Sequence, residues 1–285
     1  MRSACRGPES PGRSAGRERR RYRPMVWDYD IVLLLVLSGV LVGFVNTLAG
    51  GGSVMSMAIF MALGLPVADA NGTNRIAVVL QNLTSALTFL KKRMVDVRVC
   101  MKLAVPTVVG NIAGSQVAST VDEKVFEACL GVVLFIVLLF MIFDGRRVKR
   151  DGHSLVIRPV HYLWFLFIGF YCGYIYIGIG YLVLAVTLWS MRLDIVTANV
   201  IKALVICVAT PFSLIIFMWH GQVHYGYGLL HALGNVVGAF LASHYAVGWK
   251  TSVIKSFMVV IVLLCFIDLL TPYDYLHAFL TRLLE

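Results

Sequence analysis

Ten apolar runs, at residues 31–49, 53–64, 71–90, 101–119, 125–143, 161–177, 181–191, 197–219, 228–246 and 252–270, follow one another with short polar interruptions. A water-soluble globule cannot hide that much apolar side chain: 59% of the residues are hydrophobic and 14% charged, far from ordinary soluble proportions. Lipid must replace water as the solvent for most of the chain. There the backbone polar groups have to be satisfied within each segment, which favours helices. The expected fold class is all-α, a polytopic membrane protein. A soluble enzyme, a disordered protein and a nucleic-acid-binding module are excluded, despite a formal net charge of +10.

Two runs, 53–64 and 181–191, are too short to span. At ~1.5 Å per residue they reach roughly half of a ~30 Å hydrocarbon core. Each is expected to pair with the run before it as a broken or re-entrant hairpin. Gly-Gly-Gly follows the first run instead of a small-x-small cleavage site, so no cleaved signal peptide is expected.

Shifting the chain against itself by 128 residues, without gaps, aligns fourteen identical residues between Gly50 and Ala118 and their partners, Gly178 to Ala246. They include Gly50 with Gly178, Gly52 with Gly180, Asn71 with Asn199, Ser85 with Ser213 and Gly110 with Gly238. Apolar helices match by composition alone, but Gly, Asn and Ser in register do not, which points to a duplication. Each half then holds one hairpin and three spanning helices, an odd total of crossings for the helices that inverts the second half. Charge agrees with this topology. Lys91, Lys92, Arg93 and Arg98 follow the third run, and Arg146, Arg147, Lys149, Arg150 and Arg158 fill the central loop, while His220 to Gly228 carries no Lys or Arg. The first two clusters belong in the cytoplasm and the third segment outside.

Residues 1–24 depart from that rule. They carry eight Arg against two Glu, so they hold +6 of the net charge and leave +4 to the other 261 residues. This segment reads as a disordered basic tail and, being placed outside by the topology, as an upstream extension with the native start at Met25. The expected organisation is a tail at 1–24, an N-terminal membrane repeat at 25–145, a cytoplasmic linker at 146–158, a C-terminal inverted repeat at 159–272 and a tail at 273–285.

An inverted duplication with short, Gly-interrupted segments at matching places puts a transporter's substrate site near the membrane midplane, at the hairpin tips. The first tip carries Gly50, Gly51, Gly52 and Ser53. Successive glycines permit positive φ and expose N–H groups at the start of a half-helix, where the dipole favours an anion; close helix packing is the other reading. The second tip keeps Gly178 and Gly180 but inserts Ile179 and Tyr181. Downstream lie Asn71, Thr73, Asn74 and Arg75 in the first half, and Asn199 and Lys202 in the second. Arg75 and Lys202 fall one residue apart under the repeat, inside apolar runs, where ionisable groups are costly. They are read as an anion pocket, against the alternative of snorkelling to headgroups. Gln81 and Asn82 could line the path or bond a neighbouring helix.

His220, His224 and His231 read as interfacial loop residues, with no metal site expected. Asp69, Asp194 and Asp268 read as helix caps, proton coupling being the alternative. The six cysteines form no C-x-x-C pair and read as apolar fillers. No catalytic residue and no cofactor is expected.

These residues resemble a known family. GFVNTLAGGGS, GLPVADANGTNRIAVVLQN, FLKKRMVDV, VVGNIAGS, then GFYCGYIYIGIGYL, LDIVTANVIK, FMWHGQV and GNVVGAFLAS, from about Trp27 to Pro272, are similar to the sulfite exporter TauE/SafE family, also called the 4-toluene sulfonate uptake or DUF81 family. The resemblance implies a multi-pass protein of the bacterial inner membrane that moves small anions, often sulfite, sulfonates or other organosulfur anions. Its partners would be that anion and the lipid bilayer, with proton coupling possible. The expected function is a secondary transporter, an exporter by the family's name, working by alternating access. A passive anion channel and a non-transporting scaffold or sensor are the alternatives.

Overall fold

The computed structural model describes residues 29–48, 50–92, 96–122, 124–126, 128, 129, 132 and 157–245. The expected run at 252–270, most of the run at 125–143, the tails and most of the linker lie outside the described residues. Every regular element described is helical. The order is α1 (Tyr29–Leu48), α2 (Ser53–Ala62), α3 (Val67–Lys91), α4 (Val97–Thr120), α5 (Pro159–Tyr174), α6 (Ile179–Ala185) running into a π-helical turn at Val186–Ser190, α7 (Ile195–Trp219) and α8 (Tyr225–Tyr245).

The two short runs form short helical arms, α2 and α6, as their length requires. The 128-residue offset carries α3 onto α7 end for end, and α1 and α4 close to α5 and α8. Among the described residues, Tyr29–Leu48, Val97–Thr120 and Val196–Trp219 are long and apolar enough to cross a membrane. The helix α3, expected to span, has the length but a polar interior: Asn71, Thr73, Asn74, Arg75, Gln81, Asn82 and Ser85 are all buried in it. It also starts earlier than its apolar run, at Val67 after the N-cap Pro66. Asn71 to Arg75 therefore lie in the second and third turns, not at a helix opening.

Small residues decide which helices touch. Gly39 and Gly43 of α1 face the backbone of α8, where a Cβ would fall 2.3 Å from the His231 carbonyl oxygen and 2.2 Å from that of Asn235. Gly110 and Gly114 of α4 face the Leu166 and Phe170 carbonyls of α5 in the same way, at 2.1 and 1.9 Å. The first helix of each half thus packs along the last described helix of the other. In lipid, where apolar surface alone does not drive helices together, such close approach supplies the contact energy. Apolar clusters then fill the space between these pairs, one joining Phe165, Ile168 and Cys172 to Leu103, Val200 and Val205, another joining Val45, Met57 and Ile175 to Ile76 and Phe217. Cys100 and Cys172 are buried free thiols, consistent with a filling role.

His231 is not a loop residue. It lies within α8, fully buried. Its ring N–H at Nδ1 donates to the Leu35 carbonyl at 3.0 Å, which leaves Nε2 to accept from the Ser56 hydroxyl at 2.8 Å. The imidazole thereby fastens α2 to α1 and α8. Ser56→Ala strands a buried lone pair, and is expected to lower stability by about 1–2 kcal/mol, read as a fall in Tm in detergent. Asp194 is the expected cap: its carboxylate accepts from the N–H groups of Val196 and Thr197.

Candidate functional site

The two hairpin tips meet. After α1 the chain turns through Gly50 at φ +83, and after α5 it turns through Gly178 at φ +68. These are repeat partners, and both occupy the left-handed region that an L side chain enters only at a cost. The Gly180 N–H donates to the Gly50 carbonyl at 3.3 Å, and a Cβ on either would sit 2.2 Å from the other's Cα. The arms leave through N-caps Gly52 and Gly178, neither supplying a side-chain cap. All the candidate residues, Gly50 to Ser53, Asn71, Thr73, Asn74, Arg75, Gly178, Gly180, Asn199 and Lys202, are buried.

Each buried cation reaches from one half to the broken helix of the other. The Arg75 guanidinium on α3 donates to the last carbonyls of α5: Nη1 to Cys172 at 2.6 Å and Nη2 to Gly173 at 2.9 Å. Nη2 also donates to Asn71 Oδ1 at 3.1 Å, and Asn71 Nδ2 donates to the Tyr174 carbonyl at 3.0 Å. The guanidinium lies over the Tyr176 and Phe217 rings, 5.3 Å from each centroid. Lys202 on α7 mirrors this at the end of α1. Its Nζ donates to the Thr47 carbonyl at 2.8 Å, to Asn199 Oδ1 at 2.8 Å and to the Asn46 carbonyl at 3.4 Å. A helix that stops inside lipid exposes its last carbonyls and the negative end of its dipole, and a cation answers both. An Asn and a cation recurring in both halves therefore have a structural task that sequence spacing did not reveal.

That task leaves donors over. Asn74 Nδ2 and Arg75 Nε are buried without a hydrogen-bond partner. Among the described residues neither cation has a carboxylate partner, and the one ion pair is Asp69 with His224. Thr73 turns away from the tips, accepting from the His224 backbone N–H at 2.9 Å.

The surroundings of the two tips differ. Beside the first, Asn46 Nδ2 donates to Gln81 Oε1 at 3.1 Å and to Ser53 Oγ at 3.4 Å, and the hydroxyls of Thr47 and Ser85 share a hydrogen bond at 3.2 Å. Under the repeat, Asn46, Thr47, Ser53 and Gln81 become Tyr174, Ile175, Tyr181 and Ala209. Asn82, repeated as Thr210, donates to the Tyr176 hydroxyl at 3.1 Å. Asn46, Thr47 and Ser85 were not among the expected site residues. The signal for them was the polar pair Asn46-Thr47 closing an otherwise apolar run just ahead of the glycines.

Residues 35–269 match the sulfite exporter TauE/SafE family. A probable membrane transporter protein of Haemophilus influenzae is 23% identical over 239 residues, 81% of this chain and 91% of that protein. The probable membrane transporter protein ORF9 of Sinorhizobium sp is 24% identical over 234 residues, covering 82% and 90%. The probable membrane transporter protein YfcA of Escherichia coli strain K12 is 23% identical over 235 residues, covering 80% and 85%. No solved structure matches the chain. With an all-helical fold, three helices among the described residues long and apolar enough to cross a membrane, paired tips and a family match across more than four-fifths of its length, the chain belongs to the sulfite exporter TauE/SafE family of membrane transporters.

Proposed function

We propose that the protein is a secondary transporter that carries small oxyanions across the inner cell membrane by alternating access, sulfite or an organosulfur anion being the substrate and export the direction. One observation carries the anion: Arg75 and Lys202 are buried cations with no carboxylate partner among the described residues, accompanied by the donors Asn74 Nδ2 and Arg75 Nε, which have no hydrogen-bond partner there. A helix end offers only a partial negative charge, so burying a full cation without a counter-ion still costs several kcal/mol, and a bound anion offsets that cost while satisfying the spare donors. A planar guanidinium suits an oxyanion edge, and glycine tips let backbone approach the ligand closely.

The cross-capping of one half's helix break by the other half's cation supports the reading of two inverted repeats with a shared site. The family name and the basic loops support the substrate class and the orientation. An anion that binds the folded protein raises its Tm, by about 2.7 kcal/mol of added stability at a hundredfold excess over Kd. Purified protein titrated with sulfite, thiosulfate, sulfate, sulfonates, phosphate and carboxylates should therefore show stabilisation by at least one sulfur oxyanion beyond matched chloride. Equal Tm values across the panel overturn the reading.

Lys202→Gln retains a donor for the Thr47 carbonyl but removes the charge. It is expected to weaken anion affinity roughly 30-fold or more, whereas Lys202→Arg should retain most of it; titration calorimetry reads both.

A further inference from the structure

Asn111 lies within α4 and is fully buried. Its backbone carbonyl oxygen would fall 2.1 Å from a Cβ on Gly173 of α5, and Gly173 is one of the two residues whose carbonyls Arg75 caps. The Cys172 thiol lies beside both the Asn111 amide and the Arg75 guanidinium, but a thiol is a weak partner at best. Neither Asn111 Nδ2 nor Asn111 Oδ1 has a hydrogen-bond partner. Asn74 shares a face of α3 with Asn71, which bonds the Tyr174 carbonyl. Together with Asn74 Nδ2 and Arg75 Nε, four buried polar atoms around the end of α5 are therefore unmet.

The repeat-related end is built otherwise. There Lys202 Nζ donates to three oxygens, and Asn46, Thr47, Ser53, Gln81 and Ser85 are all hydrogen-bonded. Ala239 and Ala203, both buried, stand where Asn111 and Arg75 do. A buried amide with neither atom met is costly, and what meets both at once is a ligand with an acceptor beside a donor. Arg75 Nε and Asn74 Nδ2 ask only for acceptors. A fully deprotonated oxyanion supplies acceptors alone and leaves Asn111 Oδ1 stranded. A singly protonated oxyanion, such as hydrogensulfite, gives its O–H to Oδ1 and its other oxygens to the three N–H donors.

We propose that Asn111 is a substrate-binding residue that selects oxyanions still carrying a proton, holding them with Arg75 Nε and Asn74 Nδ2 against the end of α5. This selectivity rests on the reading of the protein as an anion transporter and adds the protonation state of its substrate. Purified full-length protein in detergent is titrated calorimetrically, at mildly acid pH, with sulfite, there largely hydrogensulfite, and with methanesulfonate, a monoanion that has no proton to give. Wild-type protein should bind hydrogensulfite at least about ten-fold more tightly. Asn111→Ala, which installs the residue of the other half, should bring the two affinities to within about two-fold, and the bulkier Asn111→Leu should do the same. Without anion, neither variant should lose the Tm that a broken native hydrogen bond would cost. Equal wild-type affinities overturn the selectivity. So does a preference that survives both substitutions, whether or not Tm falls, since water alone would then be what meets the amide. Were no anion of the panel to bind wild-type protein, the transport reading would fall and the role of Asn111 with it; binding without preference overturns the role of Asn111 alone.

Discussion

Arg75→Ala protein is expected to bind no anion measurably and to unfold at a clearly lower temperature than the wild type. The two effects have separate causes. Stability falls because the Cys172 and Gly173 carbonyls lose their donors, Asn71 Oδ1 loses one as well, and a void opens between the Tyr176 and Phe217 rings. Each stranded buried group costs about 1–3 kcal/mol, and a net loss of about 3 kcal/mol remains after the relief of a buried charge is allowed for. Binding falls because the charge and the spare Nε donor go together. Arg75→Lys separates them: an ammonium keeps the charge but cannot span both carbonyls and stack between two rings. It should recover part of the Tm and little of the affinity. Thermal unfolding in detergent with and without anion checks all four values. An Arg75→Ala variant that keeps wild-type affinity would reduce Arg75 to a helix cap.

Gly180→Val should prevent accumulation of folded protein. The added Cβ would stand 2.2 Å from Gly50 Cα, with the other near atoms also Gly50 backbone, so no flexible side chain can give way. The tips must part, breaking the Gly180 N–H to Gly50 carbonyl bond and the packing of both arms. Overpacking of this kind costs about 3 kcal/mol, and more is expected where backbone meets backbone. Gly64 is the control. It has φ +89 but nothing within 4 Å of a built Cβ, so Gly64→Ala carries strain alone, about 1 kcal/mol. Size-exclusion profiles of detergent extracts should show a monodisperse peak for Gly64→Ala and none for Gly180→Val. A folded Gly180→Val protein would mean that the tips do not need to touch.

Much of the architecture was legible before any coordinates. Runs 53–64 and 181–191 are too short to be anything but partial arms, and they form α2 and α6. The matched Gly50 and Gly178 proved to share a left-handed turn. Helix starts were less legible: Val67 and Ala68 belong to α3, yet the polar Asp69 and Asn71 interrupt the apolar pattern that would have marked it. His231 was misplaced for a related reason. A lone His close to a polar loop gives no sign of its partners, and those partners, Leu35 and Ser56, lie far away in the chain.

The sequence by itself determined that this is a helical membrane protein, because lipid tolerates few backbone structures, and its 128-residue register of Gly, Asn and Ser anticipated that α3 and α7 correspond end for end. It also singled out Arg75 and Lys202, since charge at membrane depth is expensive wherever it occurs. What those cations touch was decided only in three dimensions. Their partners are backbone carbonyls, which every residue carries and no residue type announces, at the ends of helices nearly 100 and more than 150 positions away in the chain.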